Sequence, residues 1–251
     1  MMRPAVLYGL WLRQVKRYLR SRARIIGSLG QPLLFLVALG FGLGAVFRRA
    51  GEGDYLKFLA PGVMAMSILF TAIFSGVEII WDRQFGFLKE MLVAPVSRLS
   101  IMLGRTLGGA TVATIQGLLV FIISLFFGFR PTHLPRLPWA LLVMLLIALL
   151  FTALGTAIAS IVEDFQGFQL IMNLLVMPLF FFSGAIYPLK GLPAPLLVIT
   201  KANPLSYGVD ALRTSFGSPT EFGMTLDIAV LAGVTLLLLG AGAALFNRIE
   251  V

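Results

Sequence analysis

The sequence predicts an all-α, polytopic membrane protein, and three observations carry that prediction. Mean hydropathy is +0.95, only 12% of the 251 residues are charged, and six almost uncharged apolar runs punctuate the chain. Each run holds about 20 residues, enough to cross ~30 Å of hydrocarbon as a helix. A soluble globule of this length does not have such a composition. Helices satisfy their own backbone hydrogen bonds in lipid, and the alternation that marks a membrane barrel is absent, so the spans are read as helices. With no long polar insert, residues 1–251 form one domain.

Residues 1–24 come first and carry seven of the 20 Lys and Arg: Arg3, Arg13, Lys16, Arg17, Arg20, Arg22 and Arg24. A basic segment beside the first span places the N-terminus in the cytoplasm. Tyr8, Trp11, Leu12, Val15 and Leu19 recur at helical spacing, with the basic residues mostly on another side. The spacing predicts an amphipathic helix in the interface, apolar face in the lipid and basic face among headgroups. It serves as an anchor or as a docking surface for a cytoplasmic partner. This tail accounts for the pI near 10.5 through membrane lipids rather than nucleic acid. It is not a cleaved signal peptide, because the apolar run after it is too long.

The spans are expected at about 25–47, 58–81, 106–127, 139–162, 168–187 and 226–246. Their interiors carry no charge apart from Glu78, near the end of the second. An intramembrane carboxylate is costly and commonly functional, so Glu78 is a candidate for admitting cargo, or else it reaches water or pairs with Arg83 or Arg105. Residues 82–97 interrupt the apolar pattern. Asp82 reads as an N-cap, Phe85, Leu88, Met91 and Leu92 repeat at helical spacing, and Pro95 ends the turn. Ser97 then caps the helix that becomes the third span. This short helix either turns the chain or receives force from a partner.

In the fifth span, Pro178 cannot donate to the carbonyl of Leu174 and is expected to loosen the helix. Residues 188–225 hold five of the 13 prolines yet remain substantially apolar. Within them Asn203 and Pro204 read as an N-cap and first-turn proline, opening a short helix to about Ser215. Gly40 with Gly44, and Gly104 with Gly108, are G-x-x-x-G spacings that permit close helix packing within a subunit or across a dimer.

Several chemistries are excluded. There is no cysteine, so no disulfide or thiolate site exists, and the single His133 makes no metal site. No G-x-x-x-x-G-K-[ST] phosphate loop is present. Ser183 in "FFSGA" lacks an intramembrane base, which argues against a serine protease and for close helix contact. No constellation of bases, nucleophiles or ligands marks an enzyme. An ion-driven secondary transporter or channel is the alternative of a different class, but it requires deep ionisable residues or paired broken helices, and neither is evident.

The stretch "GVEIIWDRQFGFLKEMLVAPVSRLSIMLGRTLGG", and after it "MNLLVMPLFFFSGAIYPLKGLPAPLLVITKANPLSYGVDALR", resembles the ABC type-2 exporter permeases, which include drug-resistance and polysaccharide-export subunits. The resemblance implies a non-catalytic permease in the cell membrane. It pairs with a second copy or a sister permease, and with separate ABC ATPase subunits that bind ATP and Mg. This chain then holds no cofactor of its own. The resemblance further implies a coupling helix at about residues 84–93, with Gly86, Leu88, Glu90 and Pro95 matching the motif and Phe87 beside them. Gln84 and Phe85 stand where the family commonly has an acidic residue. It also implies that residues 188–225 form a re-entrant extracytoplasmic hairpin, below which two fifth spans gate the exit. Asn173, Phe180, Phe181, Phe182 and Tyr187 are then gate or pathway candidates, or face lipid. The expected function is export of a hydrophobic or amphipathic cargo, drug-like or lipid-linked, by alternating access; a lipid-linked polysaccharide is the alternative within the family.

Overall fold

The computed structural model of the chain describes residues 4–49, 53–87, 90 and 96–247, and among them every regular element is a helix. In order these are α1 (Pro4–Arg20), α2 (Arg22–Gly42), α3 (Gly44–Arg49), α4 (Tyr55–Phe74) and α5 (Val77–Gln84). There follow α6 (Arg98–Phe126), a 3-10 turn (Leu134–Arg136), α7 (Leu137–Ile161), α8 (Phe165–Phe181), α9 (Ala194–Ala202), α10 (Pro204–Ser215) and α11 (Met224–Phe246).

Local chemistry sets the boundaries. Asp54 starts α4 by accepting from the Leu56 amide at 3.0 Å, and Ser97 starts α6 through the Ser100 amide. Asp164 caps α8 through the Gly167 amide at 2.6 Å. Asn203 caps α10 through the Leu205 amide, with Pro204 at the first position; that cap and the end at Ser215 were both legible in the sequence. Each cap satisfies one of the orphan amides of a helix start.

Among the described residues, five helical segments are long and apolar enough to cross a membrane: Arg22–Gly42, Tyr55–Gln84, Arg98–Phe126, Leu137–Ile161 and Met224–Phe246. The sixth expected span, 168–187, is shorter and earlier in the structure, as the 17-residue α8. Past Phe181 the helix gives way: Ser183 Oγ donates to the Phe180 carbonyl at 2.7 Å, and Gly184 turns to φ +71°, a conformation that favours glycine. The first span begins close to its expected start, at Arg22, whereas the helix of the third begins at Arg98, directly after the expected Ser97 cap and well before residue 106. Arg105, expected outside the third span, therefore lies within α6.

The centre of the bundle is α4, hydrophobic all round and packed by α2, α6, α7 and α10, as a helix without a polar face must be. α11 runs along α7, and α1 lies along α6. Two glycines make the crossing of α4–α5 with α7 possible. A Cβ on Gly155 would run into the Ile73 carbonyl, and one on Gly76 into the Gly155 carbonyl. Backbone meets backbone there, a contact open only to residues without a side chain.

Three expectations are corrected. Asp82 does not cap a helix; it lies inside α5, because the second span continues to Gln84. Glu78 pairs with neither Arg83 nor Arg105, since those guanidiniums are engaged by the end of α7 and by Asp82. Nor is Glu78 alone among buried acids, for Asp82, Asp210 and Asp227 are buried as well. α1 is the expected amphipathic helix, but one face packs on protein: a Cβ at Gly104 or Gly108 of α6 would meet Leu10 or Gln14 of α1. This G-x-x-x-G pair works within the chain.

Candidate functional site

At the end of the bundle that carries α1, two carboxylates one turn apart on α5 gather the charges of three other helices. Asp82 pairs with Arg105 of α6 and with Arg13 of α1 at 3.0 Å. Glu78 accepts from Gln14 of α1 at 3.0 Å and from Arg24 of α2 at 3.2 Å, with Arg17 at 3.8 Å. The i, i+4 spacing puts both acids on one face of α5, and buried charges persist where they are paired. The network joins α1, α2, α5 and α6 at one point.

The segment in which the coupling helix is expected begins directly after α5, and Arg13 connects its Phe87 to this network. Its guanidinium stands 4.5 Å from the centre of the Phe87 ring, a cation–π distance, while also holding Asp82. Gly86 takes φ +77°, which reverses the chain, and its successors Phe87 and Glu90 are exposed. Phe85 is 83% exposed. Large exposed rings clustered at the tip of a bundle mark a contact surface. Leu88 and Pro95, the other residues expected here, lie outside the described residues.

Beside the network a groove of about 220 Å³ opens between α2 and α4. Its polar lining comes from Tyr18, Arg24, Ser28, Gln31 and Ser67, and its apolar lining includes Met66, Phe70 and Phe74. Gln116 of α6 stiffens one wall: Tyr18 donates to its Oε1 at 2.6 Å, Ser28 to the same atom at 3.0 Å, and its own amide donates to the Ser28 carbonyl. Burial raises the Tyr18 phenol above its ordinary range. The Ser67 hydroxyl, on a residue that lines the groove, is buried without a partner.

The pathway candidates on α8 divide by burial. Phe168, Met172, Val176 and Phe180 are buried, whereas Leu170, Asn173, Leu174 and Phe181 are exposed. Phe180 packs edge-on against Phe35 of α2 at 5.7 Å and beside Phe181 at 5.3 Å. Phe182 and Tyr187 are half-buried in the turns that follow, and burial raises the Tyr187 phenol. Asn173 is exposed although it stands two turns before the buried Phe180 on the same side of α8, and Glu78 is at the other end of the bundle from both Phe180 and Tyr187.

That opposite end is held by Asn203 together with Arg213 and Asp210, which the sequence reading did not single out. Arg213 of α10 sits 3.7 Å from the centre of the Phe58 ring and donates to the carbonyls of Phe58, Gly184 and Ala185. Burial draws its guanidinium down to about 10, so it stays charged at neutral pH. Asp210 closes the turn before α11 by accepting from Thr220, Glu221 and Phe222, and Asn203 ties α10 to the Leu179 carbonyl at 2.6 Å. Arg105 and Gln116 carried a usable signal, since an isolated polar residue within an apolar span must find a partner.

Comparison with known proteins accords with this arrangement. The family model described as ABC-2 type transporter matches residues 6–216. Nodulation protein J of Rhizobium leguminosarum bv. viciae is 30% identical over 227 residues, covering 89% of this chain and 86% of the relative. The ycf38 protein of Pyropia yezoensis, whose name assigns it to the transport permeases, is 31% identical, over 84% of this chain and 73% of its own. The family match, spanning most of the bundle and both regions that carry the resemblance, shows that the chain belongs to the ABC-2 type transporter family.

Proposed function

We propose that this chain is the non-catalytic membrane subunit of an ATP-driven exporter, with α1 at the cytoplasmic side of the cell membrane. One observation carries the reading: Phe87, exposed like Phe85 and Glu90, is tied by Arg13, through Asp82, to the charge network that unites four helices. A surface loop that merely turned the chain has no need of that connection. Separate ABC ATPase subunits seat on this segment, bind ATP and Mg, and push it as they close. Two copies of the chain, or one copy and a sister permease, then shift between inward and outward access. α8 is the sixth crossing, in locally thinned bilayer, and α9 with α10 form the re-entrant hairpin at the exit.

Cargo enters along the groove between α2 and α4. Hydroxyls, an amide and a paired guanidinium line it beside Phe70 and Phe74, which supports an amphipathic molecule with a polar head and an apolar tail. A lipid-linked saccharide is the second reading, favoured by the uncharged donors and acceptors of Tyr18, Ser28, Gln31 and Ser67. Copurification from the native host in mild detergent, followed by mass spectrometry, tests the assembly. A stoichiometric ATPase with a phosphate loop supports the exporter. Its reproducible absence from intact, folded protein returns the channel or secondary transporter to first place.

A further inference from the structure

α5 ends in two side chains that reach past the charge network to the base of α8. Arg83 donates to the carbonyls of Val162 at 3.2 Å and Ser160 at 3.3 Å, which are orphan acceptors at the C-terminus of α7. Cations at such an end are favoured by the carbonyls and by the helix dipole. Trp81, two residues earlier, stacks on Phe165, the first residue of α8, with ring centres 6.1 Å apart. Only residues 162–164 separate α7 from α8, so α5 grips both sides of one short turn. A second aromatic contact, Phe74 with Phe168 at 6.5 Å, fixes the next turn of α8.

The rest of α8 is differently held. Its face from Leu170 to Phe181 is exposed, and its far end is fastened by Asn203 and by Phe35. Beyond it, Arg213 and Tyr55 hold the carbonyls of Gly184, Ala185 and Ile186. A helix of 17 residues is a rod about 25 Å long, gripped at its base by α5 and at its tip by α10. Displacing the base moves the tip.

We propose that Arg83 and Trp81 are the positioning residues through which motion of the coupling segment reaches α8, making α8 a lever between the ATPase side and the exit turns. The source of the force rests on the exporter reading above; the path of the force rests on these contacts. Arg83 has a second feature in keeping with a grip: its Nε is buried without a partner, a cost its two carbonyl bonds offset.

The chain has no cysteine, so spin labels can be placed at will in the complete complex with its ATPase in lipid nanodiscs. One label pair, at Gln84 and Leu237, reports the end of α5; a second, at Gln169 and Leu237, reports α8. In the parent protein a non-hydrolysable ATP analogue shifts both distances. In Arg83→Met the first shift persists and the second falls to less than about half its parent size, while Arg83→Lys, which still donates to carbonyls, restores it. Trp81→Leu gives the same separation of the two shifts, and decides the matter if Arg83→Met does not assemble. Full α8 shifts in Arg83→Met or Trp81→Leu, or no rescue by lysine, overturn the lever. If neither pair shifts in the parent complex, the exporter reading itself falls, and the lever with it.

Discussion

The carboxylate of Asp82 is ion-paired with Arg105 across the boundary between α5 and α6, where the arginine side chain is 4% exposed and the aspartate 12%. A pair this deep is costly to break from one side, since the remaining charge is left buried.

Asp82→Ala is therefore expected to destabilise the protein by about 3–5 kcal/mol. Arg13→Ala removes the second partner of Asp82, whose side chain is one-third exposed, and costs about 1 kcal/mol or less. Thermal unfolding of the purified protein in detergent compares them. Equal losses would contradict the assignment of Arg105 as the principal partner.

The glycine crossing makes a sharper stability prediction. Gly155→Ala and Gly76→Ala each force a Cβ into a backbone carbonyl, and overpacking of this kind costs about 1–3 kcal/mol. Gly44→Ala meets open space and leaves the unfolding temperature unchanged. A similar response of all three would mean that α4–α5 and α7 do not touch at these glycines.

Tyr18 gives a pH dependence. Burial raises its phenol above the ordinary value of 10.0, so the folded chain holds that proton more tightly than the unfolded chain. The resulting stability is complete below pH 10 and is lost as pH rises through the folded value. Tyr18→Phe costs about 1 kcal/mol at neutral pH through the lost bond to Gln116, and removes part of the alkaline loss. Unfolding midpoints measured on both sides of pH 10 give the comparison; identical alkaline slopes would show the phenol to be solvated.

Topology is open to direct labelling because the chain is free of cysteine. Single cysteines at Lys16 and Lys201 should react with an impermeant maleimide from opposite sides of sealed vesicles, Lys16 from the cytoplasmic side. Reaction of both from one side would require a different number of crossings.

At the segment proposed to couple the chain to its ATPase, Phe87→Ala and Glu90→Ala are expected to lower cargo-coupled ATP hydrolysis by roughly tenfold, about 1.4 kcal/mol of coupling, with the ATPase still bound. Phe87→Trp, which keeps a face for Arg13, should retain more coupling than Phe87→Ala. Unchanged coupling in both alanine variants would remove the segment from the mechanism.

The fold was legible to the extent that it is local. The fourth and last spans, the Ser97 and Asn203 caps and the amphipathic α1 follow from hydropathy, spacing and capping chemistry within a few residues. The end of the fifth span was not, because Phe182–Tyr187 is as apolar as the helix before it, and only the turn at Ser183 and Gly184 ends the helix. The site was half legible. Glu78 stood out as a charge in an apolar run, but Asp82 read as a cap, since nothing in one stretch of sequence reveals a partner 23 residues away in α6 or 69 away in α1.

By itself, then, the sequence determined that this chain is a helical membrane protein with a basic amphipathic start and a polar interruption after its second span. Burial of apolar surface and satisfaction of backbone hydrogen bonds in lipid leave a chain so composed no other choice. Only the tertiary structure decided which charges meet: Arg13 and Arg105 on Asp82, Gln14 and Arg24 on Glu78, Arg83 on the end of α7, and Arg213 on the turns beyond α8. Those pairings depend on how the helices cross, and the crossings are set by glycine contacts and side-chain packing between segments far apart in the chain.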